Sequence, residues 1–130
     1  MKALIVEDDF LSRMLLQGLL KAYVVPDVAV NGKEAVEAVR ISLENGEPYN
    51  LICMDIMMPE MDGQEALKQI RNLEKQAGIQ PTDGVKVIMI TALDDKKNIM
   101  TAFREQCDTY LVKPLDKLKL VATLESLNLI

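Results

Sequence analysis

Short apolar runs alternate with longer amphipathic segments five times along the chain. Most of the runs are continuous, which is typical of strands that are covered on both faces in a parallel sheet. Strands are predicted at residues 3–6, about 27–30, 51–54, 85–90 and 109–112, and helices at about 11–22, 32–43, 63–76, 96–105 and 117–127. This alternation predicts an α/β, doubly wound (βα)5 fold of the flavodoxin-like type, with a five-stranded parallel sheet in the order 2-1-3-4-5.

Polar residues suited to capping precede several of the predicted helices. Asn31 with Glu34, and Asp62 with Glu65, have the spacing of a capping box, and Asp116 is suited to cap the last helix. These start signals support the helix assignments independently of the apolar periodicity.

Charged residues stand where three of the predicted strands end. Glu7 and Asp8 follow the first strand, Asp55 follows the third, and Lys113 follows the fifth. Because ligands of such sheets bind at the carboxyl ends of the strands where the strand order reverses, these side chains are expected to meet between strands one and three. Thr91, at the end of the fourth strand, would add a hydroxyl group to the same pocket.

The composition of this pocket restricts its chemistry. Three neighbouring carboxylates cannot all stay ionised without a cation, and oxygen ligands favour a hard ion such as Mg²⁺ where a phosphate is also bound. The chain contains no histidine, which excludes Ser–His and Cys–His catalysis and histidine-based zinc sites. A carboxylate between a metal ion and a lysine is suited to attack phosphorus.

The length, composition and net charge of the chain argue for one globular domain and against several kinds of binding partner. A chain of 130 residues with 49% hydrophobic residues predicts one globular domain over residues 1–130. The net charge of −5 argues against non-specific binding of nucleic acid or of an anionic membrane. No stretch reads as a signal peptide or a membrane span, so a cytoplasmic location is expected. Cys53 and Cys107 are expected to be packing residues without a disulfide.

Several short motifs occur together, each at the end of a predicted strand. They are Glu7-Asp8, Asp55 followed by Met58-Pro59 and Met61-Asp62-Gly63, Thr91-Ala92, and Tyr110-Leu111-Val112-Lys113-Pro114. In this order they make nearly the whole chain resemble the receiver domain of bacterial two-component response regulators, of the kind found in chemotaxis regulators. The resemblance fits either a stand-alone regulator or a domain excised from a longer one.

The resemblance implies a phosphoacceptor and a metal site. Asp55 would accept a phosphoryl group from the phosphohistidine of a sensor histidine kinase or of a histidine phosphotransfer protein. Asp8 and Asp55 would bind Mg²⁺ directly, together with the backbone carbonyl of Met57, and Glu7 would contribute through metal-bound water. The domain would then catalyse its own phosphoryl transfer and slow autodephosphorylation, without being an enzyme that acts on other substrates.

The resemblance also implies a switch. Thr91 and Lys113 would bind the phosphoryl oxygens, and Tyr110 would turn inward when Thr91 is drawn toward the phosphate. The Lys113–Pro114 peptide bond would be cis. The output surface would be the face of the fourth helix, fifth strand and fifth helix, acting on a downstream protein target without direct contact to nucleic acid or membrane. A phosphorylation-linked homodimer is left open.

One residue departs from the common pattern of the family, and two others occupy positions that influence hydrolysis of the acyl phosphate. Gln106 stands where receivers commonly carry glycine, so it must adopt a strained backbone or alter the turn before the fifth strand. Met57 and Leu93 lie two residues beyond Asp55 and Thr91, at positions that influence hydrolysis of the acyl phosphate in this family. Both are bulky and apolar, and the hypothesis is that they shield the phosphoryl group from water.

Other functions compete with the switch. Taken singly, the acidic triplet is explained as a solvated helix lead-in, which is the expected role of Asp9, and Thr91, Lys113 and Tyr110 have equally ordinary structural explanations. A pseudo-receiver that docks partners without phosphate is the main alternative. A phosphatase of the haloacid dehalogenase type would need a second acid at position 57, which is methionine. A flavodoxin-like FMN carrier is disfavoured because acids after the first strand would repel a phosphate.

Overall fold

The computed structural model describes residues 1–92 and 96–130. Its strands are β1 (Ala3–Val6), β2 (Asp27–Ala29), β3 (Leu51–Asp55), β4 (Lys86–Thr91) and β5 (Thr109–Val112). Its helices are α1 (Phe10–Leu20), α2 (Gly32–Glu44), α3 (Gly63–Gln76), α4 (Lys96–Arg104) and α5 (Lys117–Ser126), with a short 3₁₀ turn at Pro81–Asp83. The predicted succession of five βα units is confirmed.

The five strands form one parallel sheet in the order β2-β1-β3-β4-β5, as predicted. Register brings the carboxyl ends of the strands to one edge: Val6 lies opposite Met54, and Thr91 lies opposite Val112. The residues that follow β1, end β3 and β4, and follow β5 therefore share this edge.

Helices cover both faces of the sheet, which explains the apolar runs. On one face, Leu16 of α1 and Leu120 of α5 pack over residues of the strands, and on the other face α2, α3 and α4 enclose a second cluster. The central strand β3 is buried throughout, whereas the edge strand β2 is mostly exposed. Cys53 and Cys107 are buried free thiols, consistent with their predicted packing role.

The element boundaries agree with the prediction or differ from it by one or two residues. α1 begins at Phe10 because Asp9 is its N-cap, with the Ser12 N–H donating to the Asp9 carboxylate at 2.8 Å. α1 ends at Leu20, two residues before the predicted end. β3 extends by one residue to include Asp55, so the site residue belongs to the sheet itself.

The predicted caps of α2, α3 and α5 are present. The Glu34 N–H donates to the Asn31 side chain at 2.9 Å, and the Glu65 N–H donates to the Asp62 carboxylate at 2.9 Å. Asp116 caps α5 in the same way. Within the described ranges, no helix has the length and hydrophobicity needed to cross a membrane.

Candidate functional site: an acidic pocket at the carboxyl edge of the sheet

Three charged side chains from three strands meet at the carboxyl edge. Lys113 follows β5, and its Nζ donates to Glu7 Oε1 at 2.7 Å and to Asp55 Oδ2 at 3.0 Å. Glu7 is 3% exposed and Asp55 is 7% exposed, so both carboxylates are largely withdrawn from water. One ammonium group thus joins Asp55 and Glu7, which lie 58 and 106 positions before Lys113 in the sequence.

Asp8 completes an acidic cluster with these two carboxylates. Glu7, Asp8 and Asp55 each offer one carboxylate oxygen, and the three oxygens lie within 4.8 Å of one another. Glu7 Oε2 is buried and has no hydrogen-bond partner among the described residues. A buried acceptor without a donor, in an all-oxygen set that carries excess negative charge, fits the ligand preference of Mg²⁺.

The protonation of Glu7 reflects this crowding. Burial, followed by hydrogen bonding to Asp55, raises the pKa of Glu7 to about 7, although Lys113 acts in the opposite direction. Burial alone would lower the pKa of Lys113, but its bonds to Glu7 and Asp55 outweigh burial and leave that pKa raised. Lys113 therefore stays protonated and positively charged. Glu7, in contrast, takes up a proton near neutral pH when no cation is bound.

Asp55 faces an open part of the site. A cavity of about 370 Å³ is bordered by Asp55, Lys113 and Glu7 and continues between α1 and Leu115. The Met57 N–H donates to Asp55 Oδ1 at 3.1 Å, which orients the carboxylate, and Met57 is 69% exposed. Leu93, the second residue predicted to shield the phosphoryl group, lies outside the described residues.

Thr91 ends the neighbouring strand β4 at the same edge. It is 4% exposed and follows Ile90, which lies opposite Asp55 in the sheet. The Lys113 N–H donates to the Thr91 carbonyl at 2.8 Å, so the backbone of the lysine is held by the threonine. The Lys113–Pro114 bond is cis, which confirms that prediction.

Tyr110 lies in β5, partly buried against the α2–α3–α4 side of the sheet. Its ring meets Phe103 of α4 edge to face, with centroids 5.9 Å apart and planes at 84°. Its movement as a switch stays a prediction. Gln106 has φ 74°, so of the two predicted alternatives, a strained backbone or an altered turn, this non-glycine residue adopts the strained backbone, in the left-handed region.

Two features of α1 were not predicted. Arg13 Nη1 donates to the Glu7 carbonyl at 2.9 Å, and its guanidinium lies over the Phe10 ring at 5.6 Å. The helix also exposes Phe10, Leu11, Met14 and Leu15, by 60%, 74%, 53% and 50%. A signal for this exposed face was available in the sequence, because apolar residues occur around the whole circumference of α1. A helix that packs on a sheet buries only one face, so the apolar residues on the other side are exposed.

Comparisons with known proteins agree on one family. A family model described as the response regulator receiver domain matches residues 3–125. The chain is 35% identical over 127 residues to the chemotaxis protein CheY of Treponema pallidum, covering 96% of this chain and 81% of that protein. It is 38% identical over 121 residues to hybrid signal transduction histidine kinase B of Dictyostelium discoideum, covering 88% of this chain and 6% of that protein. The chain thus spans only a small part of some relatives.

Solved structures show the same likeness. The receiver domain of the histidine kinase CKI1 from Arabidopsis thaliana, complexed with Mg²⁺ and BeF3⁻, has a TM-score of 0.81 and 32% identity, covering 96% of this chain and 89% of that one. The receiver domain of Ssk1 from Saccharomyces cerevisiae, in complex with the phosphotransfer protein Ypd1, has a TM-score of 0.80 and 32% identity, covering 95% and 85%.

Proposed function

This chain belongs to the response regulator receiver domain family of two-component signalling, and from that premise we propose that it is a phosphorylation-dependent switch whose phosphoacceptor is Asp55. The observation that carries the proposal is the placement of Lys113 Nζ within hydrogen-bond distance of both Asp55 and Glu7. Two of the three carboxylates thereby share one cation beside a cavity, and the three acids together offer oxygens to a metal ion.

The proposed reaction is a phosphoryl transfer to a carboxylate oxygen of Asp55. The new O–P bond forms as the P–N bond of a donor phosphohistidine breaks, and the electron pair of that bond passes to the imidazole nitrogen, which takes up a proton. Lys113 moves with its charge from the Asp55 carboxylate to the phosphoryl oxygens, and Thr91 supplies a hydroxyl group to them. Mg²⁺, held by Asp8, Asp55 and the Met57 carbonyl, and by Glu7 through water, would neutralise further charge on the phosphoryl group.

The proposed phosphodonor is a protein that carries a phosphohistidine, either a sensor histidine kinase or a phosphotransfer protein. The complex of the Ssk1 receiver domain with Ypd1 supports this class of partner. The apolar side chains of α1 support a docking position, because Phe10 and Leu11 are exposed directly after the acidic residues of the site. A donor that covers them would bury apolar area next to Asp55.

The proposed output is a change at the surface of α4, β5 and α5 that controls a downstream protein. Tyr110 supports this because it links β5 to Phe103 of α4, and Met100, Val112 and Leu118 expose apolar area nearby on the same three elements. A cytoplasmic location and the absence of any other enzymatic activity belong to the same proposal. Phosphorylation-linked dimerisation through this surface is a further alternative. It is tested by measuring the oligomeric state of the phosphorylated protein over a series of protein concentrations.

The proposal is tested with acetyl phosphate and Mg²⁺, followed by intact mass. We expect a gain of one phosphoryl group that requires Mg²⁺ and is lost in Asp55→Asn. Asp9→Asn is the matched control, because Asp9 only caps α1 and asparagine caps equally well. If Asp55→Asn still gains the group, Asp55 is not the acceptor; if neither acetyl phosphate nor any phosphohistidine donor modifies the wild-type protein, the pseudo-receiver is favoured.

The lifetime of the acyl phosphate depends in this proposal on Met57. Met57 is exposed and its N–H binds the Asp55 carboxylate, and in this proposal its side chain keeps water from the phosphorus in line with the Asp55 oxygen. Met57→Asn is expected to accelerate loss of the phosphoryl group, measured by the decay of the modified mass after removal of the donor. Met14→Asn, an exposed methionine of α1, is the control, and equal decay in all three proteins would refute the shielding hypothesis.

A further inference from the structure

α4 has only a weak apolar anchor on the sheet. Among its residues with described side chains, Ile99 and Ala102 are buried, whereas Met100 and Phe103 are 67% and 48% exposed. A nine-residue helix with two small or medium apolar contacts to the core gains little from burial. α1 and α5 also bury two residues each, but these are leucines, so polar contacts to its neighbours carry more weight for α4 than for those two helices.

Two side chains of α3 bind backbone carbonyls near the two ends of α4. Gln64 Nε2 donates to the Asn98 carbonyl in the first turn of α4 at 2.6 Å. Arg71 Nε donates to the Gln106 carbonyl, two residues beyond the end of α4, at 3.0 Å. The two donors are seven residues apart, about two helical turns, and so they lie on one face of α3.

α3 is itself attached to the strand that carries the phosphoacceptor. The Gly63 N–H donates to the Ile56 carbonyl at 2.9 Å. A Cβ atom at Gly63 would lie 2.4 Å from the Asp55 carbonyl oxygen, so the helix begins in direct backbone contact with Asp55. Gln64 and Arg71 therefore belong to a helix, α3, whose first residue cannot shift without disturbing the site around Asp55.

Global stability does not account for the amide of Gln64. Its Oε1 is buried and has no hydrogen-bond partner among the described residues, which costs free energy in the folded protein. A methionine of similar shape would leave no such unpaired acceptor. The gain from the Gln64 side chain must therefore be sought in the one bond that its Nε2 makes to α4.

We propose that Gln64 and Arg71 are positioning residues that hold α4 in its resting place. The two bonds, Gln64 to the Asn98 carbonyl and Arg71 to the Gln106 carbonyl, form what we call the α3–α4 latch. Their loss frees α4 to move against α3 while the rest of the domain stays folded. That this movement changes the output surface rests on the proposed function, but the latch itself does not.

The test is amide hydrogen exchange in the metal-free, unphosphorylated protein. Gln64→Met is expected to speed exchange of the amides of residues 100–104 by roughly three- to tenfold, the effect of one lost hydrogen bond on local opening. The urea midpoint should not fall, because the substitution also removes a buried unpaired acceptor. Gln69→Met is the matched control, since its Nε2 binds Glu65 within α3; it should leave α4 unchanged.

A second variant tests the other end of the latch. Arg71→Lys keeps the positive charge but loses the Nε bond to the Gln106 carbonyl together with the bonds of the guanidinium to Glu74 and Asp108, so exchange at residues 106–108 should rise and the urea midpoint should fall. For Gln64→Met, unchanged exchange in α4, or a lower urea midpoint with faster exchange across the whole domain, would overturn the latch. Faster exchange confined to α4 in a protein that neither acetyl phosphate nor a phosphohistidine donor modifies would support the latch while refuting the proposed function.

Discussion

Two ionic clusters lie at opposite ends of the same sheet, built from the same kinds of residue. The site cluster at the carboxyl edge consists of Glu7, Asp8, Asp55 and Lys113. The basal cluster at the amino ends of β4 and β5 consists of Arg71, Glu74, Lys86 and Asp108. The basal cluster balances two cations with two carboxylates, whereas the site cluster sets three carboxylates against one lysine.

The basal cluster is saturated with hydrogen bonds. Arg71 Nη1 donates to Glu74 Oε1 at 2.7 Å and to the Val85 carbonyl at 2.9 Å. Glu74 Oε2 accepts from the Val85 N–H at 2.6 Å, and Asp108 Oδ2 accepts from the Val87 N–H at 2.7 Å. These bonds join α3, β4 and the turn before β5, so the cluster is an internal brace of the fold.

The site cluster, in contrast, keeps a buried acceptor without a donor. Glu7 Oε2 has no partner among the described residues, and the pKa of Glu7 is raised. Side-chain type does not separate the two clusters, since both combine acids with basic residues. They differ in whether the charges are balanced and the hydrogen-bonding groups paired.

The largest effect is expected from breaking the basal cluster. Arg71→Met leaves the buried Glu74 without its cation and the half-buried Asp108 with only Lys86 at 3.8 Å, and should lower the free energy of unfolding by about 3 kcal/mol. Arg40→Met is the control, because Arg40 pairs with exposed glutamates on α2, and its urea midpoint should be unchanged. Equal midpoints for Arg71→Met and the wild type would show that the basal cluster is no brace.

A comparable effect is expected from pH, because Glu7 can relieve its crowding by taking up a proton. Its pKa is about 7 in the folded, metal-free protein and 4.5 ordinarily, so the folded state binds the proton more tightly. Its contribution to stability is present below pH 4.5 and is lost as the pH rises through about 7. Urea titrations in EDTA between these values should show a slope that Glu7→Gln removes. An equal slope in the variant would contradict the assignment.

Mg²⁺ should stabilise the site cluster and leave the basal cluster untouched. At ten times its dissociation constant, an ion that binds only the folded state adds about 1.4 kcal/mol to the free energy of unfolding. Asp8→Asn should abolish this gain, and Asp9→Asn should keep it, as measured by urea unfolding with and without millimolar Mg²⁺. A wild-type protein that Mg²⁺ does not stabilise would refute the metal site.

The smallest effect is expected at Gln106, whose carbonyl is held by Arg71 of the basal cluster. Gln106 has φ 74°, a conformation that glycine adopts without strain. Gln106→Gly should raise the free energy of unfolding by about 0.5 kcal/mol, the relief of strain being partly offset by the greater freedom of the unfolded chain. Asn128→Gly, at φ 60°, should gain less because asparagine tolerates this region. A loss of stability in Gln106→Gly would show that the glutamine side chain contributes.

Local patterns were sufficient to predict the order of elements and the caps. Asn31 and Asp62 act within three residues of their own positions, so their role is encoded in short segments. The basal cluster could not be predicted in the same way. Arg71 and Asp108 are 37 residues apart, on elements whose alignment depends on how the helices pack, and neither carries a motif.

The candidate site likewise has features that could be predicted from the sequence and features that could not. The positions of Glu7, Asp55 and Lys113 at strand ends were readable, because parallel strands place their carboxyl ends together. The bond from Lys113 to Glu7, the unpaired oxygen of Glu7 and the exposed apolar face of α1 were not. Each depends on distances between elements, which the local pattern does not contain.

The amino-acid sequence by itself determined the five βα units, their capping residues and the collection of acids and a lysine at one edge of a parallel sheet. The physical reason is that strand period, capping geometry and the direction of a parallel strand are properties of short segments. Only the tertiary structure decided which charges are paired and which stay unpaired, and how α4 is held. Those outcomes follow from burial and from atom-to-atom distances across the fold, and they set the pKa of Glu7 and the two contacts of α3 with α4.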